Sequence, residues 1–389
     1  MSSTEEPEPV YEFAIVGAGV SGLCLAWLLG ESSLADRPIL LIDGARDDDE
    51  LRTLSFWSPG PMSLEALVKH HWSTLRLHVG DTGHDAPMTE HTYRTFFFAD
   101  LQRETKARLA KRPGNRVVLG RLTELKQDAD GASLTVGDAT FRARWVFDSR
   151  FRLKDLEVDR RRWHLLNQHF HGWIVRADRD VFDPSMATLL DFRAETPPGT
   201  GFFYVLPFSP REGLVELVTL ERVDAEPMLR RYLARVFGLE SAELVDREAG
   251  VSPMTDQPFD WREGPRVRRL GIAAGRVKPS TGYALTRIAD DCASIVRSLE
   301  TDGHPFVAPS RSRFYRFLDA VLLEVWAAAP AEIPPIFGAM FLRNPADRVL
   351  RFLDERTSFF EVLRMILTLP KMPFVRAVFR RWRRRLLGW

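Results

Sequence analysis

The stretch that most constrains how this chain can fold runs from Tyr11 to Asp43. Tyr11-Glu12-Phe13-Ala14-Ile15-Val16 is an apolar run of a length that fits one buried strand, and Gly17-Ala18-Gly19-Val20-Ser21-Gly22 follows it directly. A helical segment from Leu23 to Leu29 comes next, then a second apolar run, Ile39-Leu40-Leu41-Ile42, that ends at Asp43. Strand, glycine turn, helix, strand and acid in this order form a dinucleotide-binding unit. Gly17 permits the tight turn, Gly19 lets backbone approach a pyrophosphate, and Gly22 lets helix and strand pack closely. Free N–H groups and the dipole at the helix start favour phosphate charge. Asp43 is placed to accept bonds from ribose hydroxyls.

The rest of the chain is ordinary for a folded protein of two or three domains: 389 residues, 45% of them hydrophobic, with a net charge of +1. A balance so near neutral points to no nucleic-acid partner. Cys24 and Cys292 stand alone, so no disulfide framework or CxxC metal site is expected. His70, His71, His78, His84 and His91 cluster in sequence, but their spacing matches no metal site. The acidic, proline-bearing start has no apolar core of a signal peptide, and no apolar run has the length of a bilayer span. The expected location is cytoplasmic.

Hydrophobic periodicity divides the chain into an α/β protein. Residues 1–160 read as the first part of a Rossmann-like nucleotide domain, with an insertion near 60–95 belonging to a second lobe. Within that insertion Ser63–His70 reads as a helix. Residues 161–263 read as a sheet-rich substrate domain, 264–303 as the second part of the nucleotide domain, and 304–389 as a helical C-terminal region. In the tail, Phe374, Val375, Val378, Phe379 and Trp382 recur at helical spacing as one apolar face among six arginines, with Leu386, Leu387 and Trp389 at the end. A basic helix of this kind is expected to lie on a membrane surface, making the protein peripherally membrane-associated.

Several stretches, in order and over nearly the whole chain, resemble the flavin-dependent lycopene cyclases, bacterial type, which are related to the plant enzymes. They are the glycine turn, Arg52-Thr53-Leu54-Ser55-Phe56-Trp57, Gln168-His169-Phe170-His171-Gly172-Trp173, Leu190-Asp191-Phe192-Arg193, Phe203-Tyr204-Val205-Leu206-Pro207-Phe208 leading to Glu216, Lys278-Pro279-Ser280-Thr281-Gly282-Tyr283, and Arg351-Phe352-Leu353-Asp354-Glu355. The resemblance implies an FAD-binding domain of the flavin monooxygenase and geranylgeranyl reductase type. Gly17, Gly19, Gly22 and Asp43, with Pro279, Thr281 and Gly282, would hold the cofactor. The backbone N–H groups of the Pro279–Gly282 turn are expected at the flavin ring.

The same resemblance implies lycopene or a related linear carotene as substrate, reduced FAD as the active cofactor, and NAD(P)H as its reductant. The reaction is then a proton-initiated, non-redox ring closure, β most readily, with Glu216 as the acid. Glu216 stands among Leu214, Val215, Leu217 and Val218 on a strand-like run, where burial would keep a carboxyl protonated. Phe170, Trp173, Asp191, Arg193, Phe203, Tyr204 and Phe208 are expected to line the substrate slot. Asp354 and Glu355 fit a helix surface equally well. Two departures stand out. Glu216-Leu217-Val218-Thr219 lacks the second acid or aromatic usual after the glutamate. Gly271-Ile272-Ala273-Ala274 lacks the Asp that flavin hydroxylases carry there, which favours a cyclase over a hydroxylase. A flavin-dependent monooxygenase or reductase acting on an apolar isoprenoid, and a non-catalytic carotenoid-binding protein, are the alternatives.

Overall fold

The computed structural model describes residues 10–44, 52–80, 82–193, 201–309 and 312–387, with side chains to Arg384 in the last helix. The acidic N-terminal stretch, the polar loop after Gly44, the side chains of Leu386 and Leu387, and Trp389 lie outside what is described.

The apolar runs of the glycine-turn unit form the centre of an eight-stranded sheet. Val10–Val16 pairs in parallel with Ile39–Asp43 on one side and Ala139–Asp148 on the other; Arg116–Leu119 and Val267–Arg269 extend it outward, also in parallel. All five residues of Ile39–Asp43 are buried, as expected for a parallel strand covered on both faces. Helix Val20–Glu31 packs on one face together with Phe98–Ala110 and Leu285–Asp302, whose buried leucines and isoleucines share one core with Phe13, Ile15 and Leu41.

A second sheet has seven strands in the order Glu243–Thr255, Leu165–Arg176, Glu212–Thr219, Gly201–Pro207, Ala187–Asp191, Thr74–Val79 and Thr82–Pro87. Its two faces bury different cores. Trp173, Val175, Phe203, Val205, Val215 and Leu217 face helix Ala225–Phe237. Leu206, Leu214, Tyr204 and Ile174 face the middle of the molecule, where the C-terminal helices and a small third sheet meet them. That third sheet joins Thr53–Ser58, Thr92–Phe97 and His70–Trp72.

The region read as a helix over Ser63–His70 is instead a single 3₁₀ turn, Glu65–Leu67, that runs into the strand His70–Trp72. Its apolar residues, Leu64 and Leu67, are buried against the nucleotide-domain core without needing a full helix.

Among the described residues no single helix is long and apolar enough to cross a membrane. Helices Arg313–Ala328 and Pro330–Leu342 pass that test only as a pair bent by 116°. Much of their apolar surface belongs to the central core.

Candidate active site

The glycine turn has the geometry its sequence implies. Gly17 has φ +97°, a conformation that side chains avoid, and a Cβ at Gly22 would stand 2.1 Å from the Gly17 carbonyl. At Gly19 a Cβ would meet nothing within 4 Å, so the turn leaves open space on that side. The Gly17 N–H is held by the Ile42 carbonyl at 2.7 Å, and the Asp43 carboxylate accepts from the Ala18 N–H at 3.4 Å. The acid at the end of the second strand is thereby brought to the start of the helix. Ser149, at the end of the neighbouring strand, closes the turn from below by bonding the Val16 and Gly17 carbonyls.

The second cofactor segment differs in detail from its expectation. The N–H groups of Thr281 and Gly282 both donate to the Lys278 carbonyl, at 3.3 and 2.9 Å, so they close a tight turn rather than point outward. Gly282 has φ +77°, and a Cβ there would strike Gln168. Around the turn, Lys278 Nζ reaches Asp319 and Glu355, and Ser280 Oγ donates to Asp319 at 2.6 Å. Among the described residues the buried Thr281 hydroxyl and Asn167 side-chain carbonyl oxygen have no hydrogen-bond partner. A buried hydroxyl left unbonded costs on the order of 1–3 kcal/mol, so these atoms fit a polar ring edge that completes them. The open glycine cradle and these orphaned oxygens together suit a flavin dinucleotide.

From this turn the chain leads directly to the acid. Tyr283, the residue after Gly282, packs edge-on against Trp57 at 4.7 Å and bonds Tyr93. The Tyr93 and Tyr204 hydroxyls are 2.6 Å apart. Burial raises all three phenols well above their ordinary range.

Glu216 stands on Glu212–Thr219 directly beside Gly172, and on the far side of Gly172 stands Glu248. A row of three neighbouring strands therefore reads Glu, Gly, Glu. The glycine is required: a Cβ at position 172 would come within 2.7 Å of Glu248 Cγ and 2.8 Å of Leu214. Across the space it leaves, the two carboxyl groups are hydrogen-bonded to each other. Two carboxylates in contact cannot both ionise cheaply, so one proton is shared by the pair.

Burial first, and the charge of Glu248 second, push the Glu216 carboxyl well above the ordinary carboxylate range. Burial also raises Glu248, but the Thr53 N–H and hydroxyl, at 2.6 and 2.8 Å, and the Glu216 bond oppose it. The proton therefore rests on Glu216 and the charge on Glu248.

Of the expected slot-lining residues, Phe170, Tyr204 and Phe208 share the Glu216 side of the sheet. Phe170 pairs with Val218 and lays its ring over Gly250, and Phe208 stacks on His70 at 4.6 Å. Trp173, Phe203, Asp191 and Arg193 do not share it, and their expected role is corrected. Trp173 and Phe203 belong to the core under helix Ala225–Phe237, where Phe203 stacks on Tyr232 at 3.9 Å. Asp191, fully buried, accepts from Tyr232 and binds Arg193 as a structural pair on that same face.

Asp354 and Glu355 are not on a helix surface. Asp354 accepts from Trp57 Nε1 at 2.9 Å, and burial lifts its pKa to about 6. Glu355 bonds Lys278 and Arg287. Glu248, Tyr93, Tyr283 and Trp57 were not singled out from the sequence as site residues, although Trp57 and Tyr283 lie inside motifs that were.

The fold is that of FAD-type flavoproteins with a second sheet, antiparallel except where Ala187–Asp191 and Thr74–Val79 pair in parallel. It is similar to a geranylgeranyl bacteriochlorophyll reductase-like protein of Thermoplasma acidophilum, at TM-score 0.61 and 14% identity, covering 94% of this chain and 97% of that one. It is also similar to a halogenase solved in complex with FAD, at TM-score 0.56 and 12% identity, covering 88% and 79%. Residues 12–379 match the model of the lycopene cyclase protein family, and the chain belongs to that family. Among its relatives is a lycopene beta-cyclase of Paracoccus sp., 28% identical over 64% of this chain and 67% of that protein. Another is a lycopene beta-cyclase of Pseudescherichia vulneris, 27% identical over 48% of this chain and 52% of that protein.

Proposed function

We propose that this protein closes the linear ψ ends of lycopene, or of a closely related carotene, into β rings, with Glu216 as proton donor and FAD as a resident, reduced cofactor. The observation that carries this reading is the Glu216–Glu248 pair. It holds a single proton among buried aromatic side chains, of which Tyr283 directly follows the turn that fits a flavin. The family and the names of its relatives supply the substrate class and the ring type.

The chemistry asked of the chain is a proton transfer without net redox change. Glu216 gives its proton to C2 of the terminal alkene, leaving a tertiary cation at C1. The C5=C6 bond closes on that cation, and the proton at C6 is then lost to the carboxylate pair, which returns it to its starting state. The acid is weak by pKa, which is what keeps it protonated at neutral pH. Its transfer is helped because the pair becomes doubly negative as the cation forms, and in a water-poor chamber that attraction is large. The rings of Tyr93, Tyr204, Tyr283, Trp57 and Phe170 exclude water and offer π faces to the cation. Gly17, Gly19, Gly22 and Asp43 would hold the dinucleotide, and Pro279, Thr281 and Gly282 its ring. When bound, reduced FAD supplies further negative charge beside the reacting carbons. NAD(P)H serves to keep it reduced and is not consumed in proportion to product.

A C40 hydrocarbon must be drawn from lipid, and we place the protein peripherally on a membrane. The last helix, Lys371–Leu387, supports this in a form that corrects its expected faces. Phe374 and Ala377 turn inward, and so do Arg381 and Arg384, which bind Asp256, Glu324 and His164. Val375, Val378, Phe379 and Trp382 point outward and are 41–61% exposed. The outward face therefore carries these apolar side chains beside the exposed Arg376, Arg380 and Arg383. Phe359, Phe360, Leu363 and Leu367 of the preceding helix are exposed as well.

The test is anaerobic incubation of the purified protein with lycopene in lipid and reduced FAD. Cyclic product is expected from the wild type, and a loss of about 10²–10⁴-fold from Glu216→Gln, the range for removing a general acid. Equal rates for the two proteins would refute the assignment of Glu216.

A further inference from the structure

Between the end of the second sheet and the C-terminal helices lies a cavity of about 630 Å³ that the proposed chemistry does not use. Arg276, Arg313, Arg316 and Arg381 line it, together with Trp163 and Trp261. The one acid among its described lining residues, Asp256, is already held by Arg381 at 3.0 Å and by His164. Arg381 is thereby fixed in place with its side chain only 11% exposed. Arg313 and Arg316, at the start of helix Arg313–Ala328, have no ion-pair partner among the described residues and stand exposed at the mouth. Arg276 is also paired, with Asp291 at 3.9 Å, so Arg313 and Arg316 supply the positive charge at the cavity that no ion pair among the described residues offsets.

Its rim is apolar. Phe317 lines the cavity and is 49% exposed. Phe314, one turn away, meets Phe359 at 6.2 Å, which continues the exposed strip of the preceding paragraphs. On the other side, Arg381 comes from the helix whose Val378, Phe379 and Trp382 face outward. A soluble anion would need the arginines but not this greasy margin. A bilayer supplies both, with acyl chains against the phenylalanines and a phosphate at the depth of the guanidinium groups. Guanidinium groups match phosphate oxygens with paired N–H donors, and indoles such as Trp163 and Trp261 suit the polar–apolar boundary.

We propose that this cavity is a headgroup site for the phosphate of an anionic glycerophospholipid, which fixes how the protein sits on its membrane. The proposal rests on the membrane reading given above and adds to it a specific lipid contact. None of the four arginines touches the Glu216 chamber, so the site is separable from the chemistry.

The test uses the full chain and sedimentation with vesicles of phosphatidylcholine alone or of phosphatidylcholine with phosphatidylglycerol. The wild type should bind both and prefer the anionic vesicles. The double variant R313Q/R316Q should lose about tenfold or more of affinity for anionic vesicles, from roughly 1 kcal/mol per arginine at such a surface. It should keep its affinity for neutral vesicles and its cyclisation rate in detergent micelles. The variant V378S/F379S/W382S should lose binding to both kinds of vesicle, which tests the membrane reading by itself. Undiminished preference for anionic vesicles in R313Q/R316Q overturns the headgroup site while leaving the membrane face standing. Quenching of tryptophan fluorescence by glycerol phosphate alone, abolished in R313Q/R316Q and without any vesicle preference, also overturns it in favour of a soluble phosphate ligand.

Discussion

In the proposed reaction Glu248 would act on the substrate only through Glu216, and a pH profile separates that action from a merely structural one. Glu216 keeps its proton because losing it would set two negative charges side by side in a buried site. In Glu248→Gln the hydrogen bond can persist but the charge is gone, so the folded-state pKa of Glu216 falls. Arg52, Tyr204 and Tyr283 are the other charged or titratable groups near the pair, and the substitution leaves them in place. The high-pH limb of the cyclisation rate should move to lower pH by about one unit or more, the scale of a charge contact at this distance. An unmoved limb would show that Glu248 only fills space. Asp354 makes a stability prediction of definite sign. Its folded pKa of about 6 lies above the ordinary 3.8, so the folded state binds the extra proton between those values and stability from this group falls as pH rises from 4 to 6. Asp354→Asn removes that loss. Relative to wild type it should gain roughly 2–3 kcal/mol on going from pH 4 to pH 7 in urea unfolding.

The sequence made Glu216 legible because a lone acid in an apolar strand is conspicuous and sits in a recognisable run. Glu248 was illegible because its strand, Glu243–Thr255, is dotted with other acids, and only the pairing register through Gly172 selects one of them. The same missing register explains Trp173 and Phe203. Side chains alternate faces along a strand, so once residue 172 lies beside Glu216, residue 173 must face away. No reading of composition supplies that offset.

At the scale of elements, the strand–turn–helix unit was readable because Gly17 and Gly22 each answer a local steric demand. Gly22→Ala should be severe, since its Cβ would meet the Gly17 carbonyl at 2.1 Å and Ile15 at 3.1 Å. The helix can relieve this only by leaving the strand, at a cost of about 1–3 kcal/mol or more. The purified variant should fold in part but lack yellow flavin absorbance, while retention of full flavin content would contradict the cradle. The C-terminal helix shows the limit of periodicity. Phe374, Val375, Val378, Phe379 and Trp382 do recur at helical spacing, but which side turns inward is decided by distant partners. Arg381 and Arg384 find buried Asp256 and Glu324, and that pairing rotates much of the apolar side toward solvent. The Ser63–His70 stretch failed for a related reason. Its last residues, Lys69 and His70, are drawn to Thr95 of the strand Thr92–Phe97, a long-range contact that overrides local helix preference.

For the whole molecule, the second and third sheets and the C-terminal helices bury one core, and the turn at Pro279–Gly282 is tied into it. Lys278 and Ser280 tie it to Asp319, Lys278 also to Glu355, and Tyr283 to the third sheet through Trp57. The cofactor cradle and the carboxyl pair are thus parts of one assembly. In the proposed reaction this assembly moves a proton and not an electron pair. The direct measurement is a single anaerobic turnover of lycopene by enzyme equilibrated in deuterium oxide with reduced FAD, followed by mass spectrometry of the pigment and absorbance of the flavin. The prediction is one deuterium per ring formed, at C2, with the flavin still reduced. Cyclic product without deuterium, or flavin oxidised in proportion to product, would contradict it.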